Sequence, residues 1–186
     1  MFIEFEETPN PNTLKFLPGQ QVIEEGTRDY KSVEDAVHSP LAQSLFALEG
    51  VEGVFLAPAF VSVSKDDAAD WEALKTRIMA VIMEHYTSGQ AVLKEPQDNA
   101  ATRPGHDLLD EISKQIVELI EQRVKPAVAQ DGGNIEFVGF EEGVVYLSLE
   151  GACAGCPSAT VTLKHGIENM LKHYVPEVVR VEQVQY

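Results

Sequence analysis

The chain is short of three things. It has two cysteines among 186 residues. It has 14 Lys and Arg against 30 Asp and Glu, a net charge of −16. It has no apolar run near the ~20 residues that a membrane-crossing helix needs. Each shortage excludes something. Two cysteines cannot build the disulfide framework of a small secreted domain. A chain poor in Lys and Arg has no patch to track a phosphate backbone, and an anionic lipid surface would repel it. The deficit is spread along the chain, with 7 basic against 15 acidic residues over 1–94 and 7 against 13 over 103–186. No basic nucleic-acid domain hides behind the average. Membrane and nucleic acid are therefore not expected as partners.

Apolar residues make up 44% of the chain, enough for folded cores. Met1–Glu7 is acidic and alternating, unlike a secretory signal or an Arg-rich transit segment. The expected compartment is the bacterial cytoplasm, or the mitochondrial matrix if the chain is a processed form. A polar stretch with proline at both ends, from Lys94 to Gly105, reads as a linker. The expected organisation is a domain over 1–94, a linker over 95–106 and a second domain over 107–186.

In the first half, Phe2 and Phe5 alternate with Glu4 and Glu6 as in an edge strand. Thr8-Pro-Asn-Pro-Asn12 is a turn, and Thr13–Leu17 is a return strand. Ser39-Pro40 predicts an N-cap and first helical residue, with Leu41, Leu45, Phe46 and Leu48 following at helical spacing. Val51–Leu56 and Phe60–Val63 form a hairpin around Pro58. Asp70 opens a helix whose apolar face is Trp71, Leu74, Ile78, Val81 and Ile82, with His85 at the edge of the core.

In the second half, Leu108, Leu109, Ile112, Ile116, Leu119 and Ile120 predict a long amphipathic helix from Asp107, ending by Asp131-Gly132-Gly133. Strands follow at Ile135–Phe140 and Val144–Leu149, then a loop over Gly151–Cys156. Pro157 opens another helix, and Val178–Val184 is a last strand. The fold class is α+β in two small domains. The second has the order α-β-β-α-β, with a CxxC loop before its second helix.

Cys153-Ala-Gly-Cys156 carries the densest chemistry. Two thiols three residues apart can face one atom when Gly151 and Gly155 relax the turn. A helix N-terminus just beyond is expected to lower the thiol pKa and favour the thiolate. Four readings follow: two small buried residues, a thioredoxin-type dithiol, a zinc site completed by His165, His173 or a second chain, and an iron–sulfur site. A tetrahedral sulfur site wants four thiolates, and this chain has two. Two copies about a two-fold axis would supply four. His165, His173 and Trp71 otherwise read as ordinary surface or core residues. Asp131-Gly-Gly reads as a helix stop, since no phosphate-loop Lys-Ser/Thr follows.

The segments Asp131–Phe140, Val144–Leu149, Gly151–Ser158, Thr160–Lys164 and Gly166–Leu171 resemble the C-terminal NifU-like (Nfu) domain. Asn134 departs from the Asp common there in that family. Thr8–Phe16, Ser39-Pro-Leu-Ala42 and Leu48–Phe55 resemble the family's N-terminal domain. The resemblance implies a non-catalytic iron–sulfur cluster scaffold or carrier. It implies a 4Fe–4S cluster bridging a homodimer, with Cys153 and Cys156 as ligands. The implied partners are upstream cluster assembly proteins and apo iron–sulfur clients; the resemblance assigns no cluster role to the N-terminal domain, which is expected to dock partners or tune which client is served. The alternatives are a dithiol–disulfide oxidoreductase and a structural zinc protein. The order α-β-β-α-β lacks the parallel βαβ start of a thioredoxin fold.

Overall fold

The computed structural model describes residues 2–94, 110–154 and 157–184, with side chains from 161 onward in the last span. The linker expected over 95–106 lies outside them, as do Asp107, Leu108 and Leu109. The chain divides into two compact units, Met1–Pro96 and Gln97–Tyr186. Each is a small α+β structure.

The first unit is a five-stranded antiparallel sheet of order β1-β2-β5-β4-β3 covered by two helices. β1 (Glu4–Glu7) is the edge strand expected from its alternation, and its Phe5 faces Phe16 of β2 (Thr13–Leu17). It has no buried face, however, because all four residues are exposed. Lys75 covers the Phe5 ring instead, with Nζ 4.2 Å from its centroid. Thr8 Oγ1 bridges the turn between them, 2.9 Å from the Asn10 and Thr13 carbonyls. β3 (Arg28–Tyr30) has no counterpart in the sequence reading. Three residues with two charges show no period, and only antiparallel pairing with β4 (Val51–Leu56) makes them a strand.

β4 and β5 (Val61–Lys65) form the expected hairpin. Ser39 caps α1 (Pro40–Phe46), its hydroxyl accepting from the Ala42 N–H at 3.2 Å. Asp70 caps α2 (Trp71–Ser88) in the same way, and Gly89 closes it in the left-handed conformation at φ 68°. Phe16, Leu41, Leu45, Leu56, Ile78 and Ile82 are fully buried between sheet and helices. That is the helical stripe read from the sequence, meeting the inward face of the central strands.

His85 continues the buried stripe of α2 beyond Ile82. It is 5% exposed, and its Nε2 has no hydrogen-bond partner. Its other ring nitrogen bonds the Gln90 backbone. Burial holds its pKa below the usual histidine value, outweighing that bond. The unfolded chain therefore takes up a proton near pH 6.5 that the folded chain resists. Folding stability should fall as pH drops below about 6.5. Urea midpoints at pH 7.5 and 5.5 should show a larger loss for the parent chain than for His85→Phe. Equal losses would overturn this.

The second unit opens with α3 (Glu111–Leu119), capped by Asp110, whose Oδ1 accepts from the Ser113 N–H at 2.7 Å. The long helix then changes pitch. Ile120–Val124 is a π-helical turn, followed by α4 (Lys125–Gln130) with Pro126 in its first turn. Proline has no N–H to continue the ladder, and its ring collides with the carbonyl four residues back. A wider turn just before it relieves both, and the apolar stripe continues as Ile116, Ile120, Val124 and Val128. Gly132, at φ 79°, ends the helix as expected.

β6 (Gly133–Glu141) and β7 (Val144–Gly151) pair antiparallel, with Gly133 opposite Gly151. Glu142 and Gly143, at φ 48° and 80°, make their two-residue turn. α5 (Pro157–Tyr174) crosses to β8 (Arg180–Val184), which pairs parallel with β7 in the order β6-β7-β8. The last strand begins two residues later than Val178. Val178 is a core residue whose N–H bonds the Val175 carbonyl at 3.0 Å.

Candidate functional site

Two glycine loops meet at one end of the three-stranded sheet. One is Asp131-Gly132-Gly133, where α4 hands over to β6. The other is Gly151-Ala152-Cys153, where β7 leaves the sheet. The Gly133–Gly151 register brings them side by side, and the Ala152 N–H reaches the Gly132 carbonyl at 3.3 Å. Gly151 sits at φ 63°, and the Ala154 N–H bonds back to its carbonyl at 3.1 Å. The turn directs Cys153 inwards, 8% exposed, among the core residues of the unit.

This location reverses one expectation. Burial pushes the Cys153 thiol up to about 11, and the Asp131 carboxylate adds to the shift. The favourable field of the α5 N-terminus does not decide the matter, because Cys153 precedes Pro157 by four positions and lies against the core. The thiol, not the thiolate, is its resting form.

Cys156 and Gly155 lie outside the described residues. His165 and His173 are exposed on α5, and His173 meets the Tyr174 ring edge-on at 4.9 Å. Among the described residues, no three His, Cys, Asp or Glu side chains are grouped to hold a metal ion. Trp71 packs partly against the first core, and its Nε1 donates to the Pro11 carbonyl at 2.8 Å.

The sequence reading missed a polar network beside the cysteine turn. Asn134, opposite Glu150 in the ladder, donates through Nδ2 to Glu136 Oε1 at 3.1 Å and to Glu150 Oε2 at 3.0 Å. Lys125 Nζ reaches the same Glu136 oxygen at 3.2 Å. The amide and the ammonium let two carboxylates stand together next to Gly151. Their separation along the chain hides this grouping, and only the β6–β7 register reveals it.

The geometry defines a class: a small α+β unit with cysteine chemistry at the loop between its antiparallel pair and a crossover helix. The comparisons narrow it. Residues 3–89 match the profile of the scaffold protein Nfu/NifU N-terminal domain, and residues 116–182 match that of the NifU-like domain. Over 185 residues, 99% of this chain, it is 49% identical to a Drosophila erecta protein named NFU1 iron-sulfur cluster scaffold homolog, mitochondrial. It is 45% identical over the same length to the Homo sapiens protein of that name. The chain spans 65% of the length of the fly relative and 72% of the human one. A solution structure of a NifU-like protein from Saccharomyces cerevisiae is 27% identical, with a TM-score of 0.47. That match covers 51% of this chain and 86% of the yeast chain. The chain belongs to the Nfu/NifU scaffold family.

Proposed function

We propose that the chain is an iron–sulfur cluster scaffold and carrier, and that it performs no catalysis of its own. The observation that carries this is its identity, over 99% of its length, to proteins named as such scaffolds. Cys153 and Cys156 fall inside the matched NifU-like domain. The cargo is a 4Fe–4S cluster held between two copies, each giving both thiolates, since one chain has half the ligands such a cluster takes. The donor chemistry fits. Cys153 supplies a soft sulfur ligand, the donor type that iron–sulfur clusters take.

Iron binding must displace the Cys153 proton, so loading releases protons and weakens at low pH. Unloading is ligand exchange, with client thiolates replacing Cys153 and Cys156 in turn. The first unit docks clients or assembly proteins. The named relatives are mitochondrial, which favours the matrix over a bacterial cytoplasm. A dithiol oxidoreductase is disfavoured, because the second unit opens with a helix and an antiparallel strand pair rather than the parallel βαβ start of a thioredoxin fold.

Anaerobic incubation with iron and sulfide tests the reading. About four irons and four sulfides per dimer are expected, with visible absorption and a native mass of two chains. A colourless protein without iron would overturn it, and zinc in anaerobically purified protein would replace it with a structural zinc site.

A further inference from the structure

Gly132 and Gly151 take left-handed backbone angles that favour glycine, but Gly133 does not. Its glycine answers to space alone. A Cβ added there would fall 2.6 Å from Cys153 Sγ, 2.7 Å from the Glu150 carbonyl oxygen and 3.1 Å from the Cys153 nitrogen. The thiol therefore lies directly on the bare Cα of the first residue of β6. There it packs with the helix and strand side chains of its own unit. A ligand shared between two chains has to face outwards, and this one faces inwards.

We propose that Gly133 is a positioning residue for Cys153: it provides a berth in which the metal-free chain stows the thiol, and cargo binding draws the thiol out. This rests on the scaffold reading of the site. The turn that moves is the one at Gly151, the left-handed residue that Cys153 follows by two positions. In the berth the thiol is shielded from oxidants and alkylating agents. Once out, it leaves beside β6 a space that only a residue without a side chain could have left open.

Alkylation of the metal-free full chain tests this without any cluster. In a Cys156→Ser background, Cys153 is the only thiol. Its reaction with N-ethylmaleimide should be at least about tenfold slower in the folded chain than in urea at the same pH, as for a group that reacts through local opening. Gly133→Ala should evict Sγ and raise the folded rate about tenfold; its Cβ also meets the Glu150 carbonyl oxygen at 2.7 Å, so β6 must shift as well, and circular dichroism need show only that the chain still folds. Gly139→Ala, on the same strand with nothing within 4 Å of the added Cβ, should leave the rate alone. Equal folded and urea rates would overturn the proposal, as would a folded Gly133→Ala with an unchanged rate. If Gly133→Ala does not fold, the folded-versus-urea comparison decides alone. A chain that protects Cys153 in this way yet takes up no iron and sulfide would overturn the scaffold reading and leave the berth standing.

Discussion

Cys153→Ala and Cys156→Ala should each remove the iron–sulfur chromophore, reducing bound iron to a small fraction of the parent's. On the proposed reading of a 4Fe–4S cluster shared by two copies, either change leaves two thiolates of the four that such a cluster takes. Water or a free thiol can fill one open iron site, but two open sites on one cluster leave it exposed to hydrolysis and loss. The two variants should differ in a second measurement. Cys153 is a core residue, and losing its buried sulfur should cost about 1–2 kcal/mol in a urea titration of the metal-free chain. Cys153→Ser should cost at least as much, since it puts a hydroxyl where the sulfur packed. Iron content and visible absorption, followed with unfolding midpoints, separate the ligand role from the packing role. A full chromophore in either alanine variant would remove the replaced cysteine from the site.

Most of this architecture could be read from period and punctuation. The stripe Leu74, Ile78, Ile82 and the caps Ser39 and Asp70 foretold α1 and α2, because local chemistry and burial point the same way there. The hairpin at Glu142-Gly143 and the stop at Gly132 followed from glycines, which take left-handed backbone without strain. Three features were not legible, for one shared reason. The strand status of Arg28–Tyr30, the parallel placement of β8 against β7 and the Asn134–Glu150 bridge all depend on partners distant in sequence. The pitch change before Pro126 had a visible cause, but its form as a π-helical turn depends on keeping Ile116, Ile120 and Val124 on one core. At the candidate site, the cysteine spacing singled out Cys153 and Cys156. Whether Cys153 rests as thiol or thiolate was decided by burial and by Asp131, brought near by the helix end preceding β6.

Leu171→Ala should cost the second unit about 2–5 kcal/mol, the usual range for emptying a fully buried leucine site. Leu171 lies in the last turn of α5, in one core with Ile116, Ile135, Leu147 and Val181. Its removal therefore loosens the crossover helix from both the sheet and the first helix. A unit of this size holds roughly 4–12 kcal/mol in all, so the loss is a large share. Its thermal midpoint should drop on the order of 10–20 °C. The first unit has a separate core, and the chain's only tryptophan, Trp71, reports on it. Fluorescence should therefore show an unmoved transition in Leu171→Ala, while circular dichroism shows a second transition at lower temperature. Ile82→Ala should do the reverse, moving the Trp71 transition by a comparable amount. If Trp71 fluorescence shifts with Leu171→Ala, the two units unfold as one. If it does not, the second unit can lose its cysteine turn to local unfolding while the first keeps its fold.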